Sequence, residues 1–404
     1  LFFSIKWRLE ASRDYAMFGP EAPKLKINNK VYRDLNKNGK LDTYENPEAQ
    51  IEDRVGDLIS QMNPYEKAGA IFINMIGVNA DGTPMEFPSF SDPFSFLMET
   101  SSEQIAKKKM NHFNIRASHP KEKMIEWQNA IQKMGERSRL GIPITIASDP
   151  RHGVPTQLGA SINTPYFSSW PSSLGMGAIS DSLLVQDFGA IVREEYKALG
   201  IRVALGPMAD TSTEPRWGRV NGTFGENSYV NSKLVPAYIR GLQGDSLGVN
   251  SVAAMVKHFP GSGALDGGKD SHFPPGLQSY HGDNFDYHLK PFEAAFEAKT
   301  ASVMPFYSIA KGITKEEVGA SYNKEIITGM LRERLGFEGI ICTDWALISD
   351  IRALGILFKP ASAHGVENLN TDERIVKIIS AGVDMIGGES LSEELSKLIL
   401  SGEI

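Results

Sequence analysis

The sequence predicts an α/β chain built on a (β/α)8, TIM-barrel-like domain with an irregular N-terminal extension. Three observations predict it. Short apolar runs alternate with helical patterns over most of the chain, the order a parallel barrel requires. Several runs are apolar on both faces, as strands covered by helices are. No Gly-x-Gly-x-x-Gly turn joins a run to a helix, which argues against an open dinucleotide-binding sheet.

Residues 1–50 read as a polar, irregular extension. Within them Asp34, Asn36, Asn38, Lys40, Asp42 and Glu45 fall at positions 1, 3, 5, 7, 9 and 12 of a twelve-residue calcium loop. Gly39 stands at position 6, where the loop turns sharply. Oxygen donors at this spacing suit a hard cation. The flanks do not read as two amphipathic helices. The expectation is therefore a single structural Ca²⁺ over 34–45, with a metal-free polar turn as the alternative.

The barrel is expected over 51–404. Ile51–Met62 reads as a helix and Ala68–Ile76 as a strand. Helical patterns follow at 102–115 and 121–139, the second stopped by Leu140-Gly141-Ile142-Pro143. Strands are then expected at 144–147, Arg202–Leu205, Ala253–Val256, Ser302–Pro305, Ile340–Thr343 and Val383–Ile386. The helices between and after them are expected at 181–199, 228–243, 289–299, 324–335, 372–381 and 392–401. The loops 206–226 and 257–288 are long and polar.

Composition bounds the function. The chain has 404 residues, 41% hydrophobic and 23% charged, which is ordinary for a globular protein of this size. A net charge of −7 argues against a nucleic-acid partner. No apolar run approaches the roughly 18 residues a membrane span needs. Cys342 is the one cysteine, so neither an internal disulfide nor a cysteine zinc site is available, and it reads as core packing. The sequence opens at Leu1 without a Met. It reads as a processed or trimmed product, with a periplasmic or secreted location as the expectation.

In a parallel α/β fold, ligands bind beyond the C-terminal strand ends. Four of the expected strands are followed by conspicuous residues. These are Asp149 with Arg151 and His152; Arg216-Trp217-Gly218-Arg219; Lys257-His258-Phe259-Pro260-Gly261; and Asp344-Trp345. Tyr307 follows a fifth strand. Each alone has a plain explanation as a cap, a surface charge or a core aromatic. At the same end of successive strands they meet in one mouth. Their chemistry suits a sugar: carboxylates accept hydroxyl hydrogen bonds, cations donate, and tryptophan faces cover pyranose C–H surfaces. An ionised carboxylate among such groups can attack an anomeric carbon, the nucleophile's part in a retaining glycosidase.

These segments, with Gly339-Ile340-Ile341-Cys342-Thr343-Asp344-Trp345, resemble glycoside hydrolase family 3, and most closely its bacterial β-glucosidases and exo-β-glucanases. The resemblance runs in order over about residues 50–400. It implies a retaining double displacement that releases glucose from β-glucosides or β-glucan oligosaccharides without a catalytic cofactor. It matches Asp344 to the nucleophile. It matches Asp149, Arg219, Lys257 and His258 to residues that hold the non-reducing-end sugar, and Tyr307 and Trp345 to residues that line that subsite. Several lineages also hold a structural ion near the N-terminus.

The resemblance leaves the proton donor open. In the β-glucosidase branch it is usually a Glu of a following α/β sandwich domain, expected here as a further domain of the same protein; a homodimer is a further expectation. In the N-acetylglucosaminidase branch it is a His in an Asp-Ser-His loop, and this chain has Asp270-Ser271-His272. That loop is longer than in the branch and carries Ser262 where the branch has His. Two other readings follow: a β-N-acetylhexosaminidase with His272 as acid, and a sugar-binding fragment without catalysis. Glu226 is expected to cap the helix that follows it. Linkage preference is expected to depend on loops 77–101 and 352–371.

Overall fold

The computed structural model describes residues 2–89, 92–153 and 164–404. Eight strands close into a barrel: β1 Phe72–Ile76, β2 His112–Ile115, β3 Thr145–Ser148, β4 Ile201–Ala204, β5 Ala253–Phe259, β6 Ser302–Pro305, β7 Ile340–Trp345 and β8 Met385–Gly387. They neighbour one another in chain order around the barrel, as successive strand–helix–strand units of one hand produce. The pairings β3–β4, β4–β5, β5–β6, β6–β7 and β7–β8 are parallel. The helices are α1 Phe2–Tyr15, α2 Ile51–Gln61, α3 Pro64–Ala70, α4 Lys121–Glu136, α5 Ser173–Ile179, α6 Ser182–Ala198, α7 Ser228–Gln243, α8 Phe285–Glu297, α9 Thr371–Ala381 and α10 Ser392–Ser401. Among the described residues no helix is long and apolar enough to cross a membrane.

Two compact units divide the chain. One holds residues 1–113, 121–145 and 390–404; the other holds 114–120 and 146–389.

The first unit corrects three expectations. Residues 1–50 are not irregular throughout. They contain α1 and an antiparallel hairpin, Lys24–Ile27 with Lys30–Arg33. In α1 the apolar residues Phe3, Ile5, Trp7 and Leu9 recur at every second position rather than on one helical face, so periodicity conceals the helix. The hairpin turns on Asn28 and Asn29, both at positive φ (49° and 62°), where asparagine is tolerated. The strand expected at Ala68–Ile76 begins only at Phe72, because α3 takes its first residues. Asn63 Oδ1 accepts the Glu66 N–H at 3.0 Å, Glu66 Oε2 accepts the Asn63 N–H at 3.0 Å, and Pro64 opens the helix. This is a capping box. The helix expected at 102–115 is one π-wound turn, Glu103–Lys107, followed by β2. Lys109 at φ 59° ends it. Of the loop 77–101, residues 90 and 91 lie outside the described residues.

The second unit carries the long central strands. β5 is buried from its second residue onward, and Cys342 on β7 is fully buried. Helices α6 and α7 approach closely at Gly189 and Gly241; a Cβ on Gly241 would lie 2.4 Å from the Gln186 carbonyl oxygen. Helix α7 is capped by Asn227, not Glu226. The Asn227 side chain accepts the Tyr229 and Val230 N–H groups at 3.0 and 3.2 Å, a reach its shorter side chain makes from the N-cap position. Helix α8 begins at Phe285, four residues before the expected start at 289. Pro291 lies inside the helix. The stretch expected as a helix at 324–335 is π-wound over Glu325–Arg334.

Burial leaves two histidines poorly able to ionise. His112 on β2 and His288 on α8 are both pushed down to about 4 by loss of solvent. An unfolded histidine titrates near 6.5, and a difference of one unit is worth about 1.4 kcal/mol. The folded values are depressed, so the unfolded state takes up protons first as pH falls. The contribution is fully present above about pH 6.5 and is lost towards pH 4. The urea midpoint is therefore expected to drop between pH 7 and pH 5, with a shallower drop in His288→Leu.

Candidate active site

Every residue of the site lies in the second unit. At the end of β3, Asp149 accepts the Lys257 ammonium on Oδ1 at 2.9 Å and the Asn114 amide on Oδ2 at 3.1 Å. Burial alone would raise the Asp149 carboxyl; Lys257, Asn114 and Arg219 bring it below its ordinary value. It is a charged acceptor held by fixed donors. Arg151 and His152, expected in the mouth, turn away from it. The Arg151 guanidinium donates to Ser148 Oγ at 2.6 Å and to the Ala117 and Ile115 carbonyls at 2.7 and 2.8 Å. His152 Nε2 lies 3.0 Å from Glu195 Oε2. These contacts tie Arg151 to the end of β3 and the segment after β2, and His152 to α6.

The loop after β4 divides in the same way. Arg216 points outward and is held by Glu214 at 2.8 Å through Nε and 2.5 Å through Nη2. Trp217 is buried against Met208 and Leu265, and its ring lies 5.9 Å from the Arg219 guanidinium. Arg219 Nη2 reaches His258 Nε2 at 3.3 Å.

His258 is organised by a residue the sequence did not single out. Asp210, fully buried, accepts the His258 side chain Nδ1 at 2.7 Å. Its other oxygen accepts the backbone N–H groups of His258 at 3.1 Å and Ser262 at 2.6 Å. Burial would raise the Asp210 carboxyl, but His258 and the two amides keep it below the ordinary carboxylate value. Burial pushes the His258 imidazole down, Asp210 pushes it up, Arg219 opposes it, and the balance is a lowered value. The Nδ1 proton is thus directed at Asp210, and Nε2 is turned to the mouth, 3.8 Å from Asp344 Oδ2. The available signal was weak: an acid beyond the strand expected at Arg202–Leu205, inside a loop read only as polar.

Asp344 stands at the end of β7, 7% exposed. Its Oδ1 accepts the Trp345 N–H at 2.8 Å. Its Oδ2 is buried and meets no hydrogen-bond partner among the described residues. The Trp345 indole N–H is in the same condition. A buried polar atom without a partner is costly unless a ligand or water satisfies it. Tyr307 accepts the Trp345 N–H on its hydroxyl at 3.0 Å, and burial, then the Asp344 charge, keep the phenol protonated. The Trp345 indole rests on bare backbone. A Cβ on Gly388 would come within 2.5 Å of the indole, and one on Gly387 within 2.9 Å.

His272 reaches the same place. Its Nδ1 lies 2.5 Å from Asp270 Oδ1, and its ring packs at 4.5 Å on Tyr307. Asp270 also lies 3.4 Å from the Trp217 indole nitrogen. Burial would raise the Asp270 carboxyl, and His272 holds it well below the usual range. Two further groups went unread. Lys359, at the end of the hairpin Ile351–Ala353 and Ile356–Lys359, donates to Ser362 Oγ at 2.6 Å and sits 5.8 Å from the Tyr307 ring. Glu389 accepts the Ile348 and Ser349 N–H groups, both at 2.8 Å, and burial pushes its carboxyl up to about 7.

The structure therefore gathers Asp149, Arg219, Lys257, His258, His272, Tyr307, Asp344 and Trp345 by direct contacts.

In the first unit, the loop 34–45 closes on itself. Asp34 accepts the Asn38 and Gly39 N–H groups at 3.0 and 2.8 Å. Glu45 accepts the Asn36 and Asp42 N–H groups at 3.1 and 3.0 Å. The Asn36 and Asn38 amide nitrogens both lie 2.6 Å from Asp42 Oδ2. Among the described residues no three His, Cys, Asp or Glu side chains gather as a metal cluster. The donor set fits a cation only if both asparagines present oxygen, which half a turn of each amide achieves.

A model of the N-terminal domain of glycosyl hydrolase family 3 matches residues 87–404. The chain belongs to glycosyl hydrolase family 3. It is 44% identical over 367 residues to beta-glucosidase C of Emericella nidulans, covering 90% of this chain and 57% of that protein. It is 38% identical over 407 residues to the periplasmic beta-glucosidase/beta-xylosidase of Dickeya chrysanthemi, covering 95% of this chain and 60% of that one. Among solved structures, a beta-glucosidase from Listeria innocua in complex with glucose superposes with a TM-score of 0.67 at 25% identity, covering 88% of this chain and 44% of that chain. The chain thus spans a little over half the length of these two sequence relatives.

Asp210 makes a direct prediction for this family 3 barrel. Asp210→Ala strands a buried imidazole and two backbone N–H groups. Leaving buried donors without their acceptor costs about 1–3 kcal/mol each. Urea unfolding is expected to show a loss of that size, and Asp210→Asn a smaller one.

Proposed function

We propose that the chain is the barrel of a retaining, exo-acting β-glycosidase that releases glucose from β-glucosides or β-glucan oligosaccharides. The observation that carries this is Asp344 Oδ2, a buried carboxylate oxygen without a hydrogen-bond partner among the described residues, 3.8 Å from His258 Nε2 and next to Trp345. The names of the relatives support glucose as the sugar.

In this reading Asp149, Lys257, His258 and Arg219 bind the hydroxyls of the non-reducing-end glucose. Trp345 and Tyr307 close over its ring. Asp344 Oδ2 attacks the anomeric carbon as the bond to the leaving oxygen breaks, and that oxygen takes a proton from an acid. Water then attacks the glycosyl-Asp344 ester, the same group removes its proton, and the configuration is retained. The Asp210–His258 pair keeps a neutral imidazole edge on the sugar. An acid from a further domain of the same protein fits the β-glucosidase branch. A periplasmic or secreted location agrees with the periplasmic beta-glucosidase/beta-xylosidase of Dickeya chrysanthemi.

Asp344→Gly is expected to lower kcat on 2,4-dinitrophenyl β-glucoside by roughly a thousand-fold or more, equal to about 4 kcal/mol of transition-state stabilisation. Azide is expected to restore turnover as the α-glucosyl azide, since it enters from the vacated face. Unchanged turnover in the variant removes Asp344 from the nucleophile's role.

A second reading uses His272 as the proton donor, on the observation that the Asp270–His272 pair packs on Tyr307 beside Asp344. A histidine steered by a carboxylate is a competent general acid. His272→Gln then slows aryl glycosides with poor leaving groups and spares activated ones. Equal effects on both leave His272 as a binding residue.

We further infer that loop 34–45 takes one structural Ca²⁺ through Asp34, Asn36, Asn38, Asp42 and Glu45 with the Lys40 carbonyl. Saturation to about a hundred times Kd stabilises by about 2.7 kcal/mol. Added Ca²⁺ is expected to raise Tm and EDTA to lower it; an unmoved midpoint counts against the ion.

A further inference from the structure

A cavity of about 530 Å³ lies in the second unit beside the loop that carries Asp270 and His272. It is formed by the loops after β4, β5 and β6 and the start of α8, and none of its lining residues belongs to the catalytic cluster. Its size falls in the roughly 300–1,000 Å³ range of small-ligand sites.

Three features define what it would hold. First, its charges are compensated. Arg216 is occupied by Glu214, which also accepts the Arg216 backbone N–H at 2.8 Å. Lys311 Nζ lies 3.7 Å from Asp266 Oδ2. A phosphate or carboxylate would meet as much repulsion as attraction, whereas an uncharged polyhydroxyl ligand finds both donors and acceptors. Second, the start of α8 is not closed by its own N-cap side chain. Asn284 lines the cavity at the helix N-cap, and its side chain makes no capping hydrogen bond. The first-turn N–H groups of a helix seek such acceptors. Third, His288 lines the cavity and is 1% exposed, and its Nδ1 has no hydrogen-bond partner among the described residues. Its Nε2 is 3.4 Å from Thr213 Oγ1. A buried imidazole with one edge unanswered needs a hydroxyl or water to complete it. Leu265 and Tyr280 complete the walls with apolar surface that suits pyranose C–H faces.

We propose that this cavity is a second sugar-binding site, taking one or two neutral pyranose units outside the catalytic cluster. Residues 264–267 of the loop that carries Asp270 and His272 line it. Gly263 there accepts the Glu214 N–H at 3.0 Å and the Thr213 hydroxyl at 3.3 Å, a few residues before Asp270. The inference shares with the glycosidase reading only the chemical class of ligand.

The test is binding of cellobiose to the 404-residue chain bearing Asp344→Gly, followed by calorimetry, with a parallel crystal soak. The expected result is two saturable sites and electron density on Asn284 and Lys311. Ser279→Trp, which fills the cavity from its rim, is expected to remove the second site and leave the first. Lys311→Ala together with Asn284→Ala is expected to weaken the second site by tenfold or more without unfolding the chain, and guards against misfolding of the tryptophan variant. Aryl-glucoside turnover with the native Asp344 serves as the separate measure of the catalytic reading. A single binding step, an unchanged second step in both variants, or density without a calorimetric counterpart overturns the second site.

Discussion

The site depends on one buried carboxylate. Asp210 has no contact with solvent, yet it holds a proton of His258 and two backbone N–H groups at the end of β5. A charge at that depth is tolerable only because every one of its hydrogen bonds is made. Those bonds determine which edge of His258 faces the mouth, and through Ser262 they set the course of the loop that returns with Asp270 and His272. Asp149 repeats the principle with Lys257 and Asn114. In both cases a buried acid serves as a fixture for neighbouring donors.

The strand ends divide their work accordingly. Some charged residues beyond the strands, such as Asp210 and Arg151, bond inward to the backbone around them. Others, such as Asp344 and Trp345 at the end of β7, carry a polar atom that meets no hydrogen-bond partner among the described residues. Proximity along the chain does not distinguish the two groups. Arg151 and His152 sit beside Asp149 yet face elsewhere, and Arg216 and Arg219 are separated by three positions and point in different directions.

The strands β3 to β8 were legible because apolar runs bounded by Gly, Pro and polar loops are a robust signal. β2 was not. His112-Phe113-Asn114-Ile115 alternates within a stretch whose preceding turn is wound as a π-helix, so the helical pattern ran on across it. α1 failed for the converse reason, its apolar spacing being that of a strand. For the site, the residue types beyond the strand ends were visible together with the family resemblance. Orientation was not, because a pairing such as Asp210 with His258 joins positions 48 apart. Lys359 and Glu389 were hidden for the same reason: their meaning lies in what surrounds them, in a hairpin and in a loop that no spacing rule brings beside β7.

The bare backbone under Trp345 has an evolutionary consequence. With Gly387 and Gly388 pressed against the indole, and Gly388 at φ 68°, neither glycine can gain a side chain while the tryptophan remains. The dependence runs one way. A Cβ on Gly387 would also lie 2.5 Å from the Thr343 carbonyl oxygen, and one on Gly388 2.7 Å from the Ala346 nitrogen, so a tryptophan after the strand-end acid demands the two glycines some forty residues downstream, while the glycines are held by the backbone whatever stands at 345.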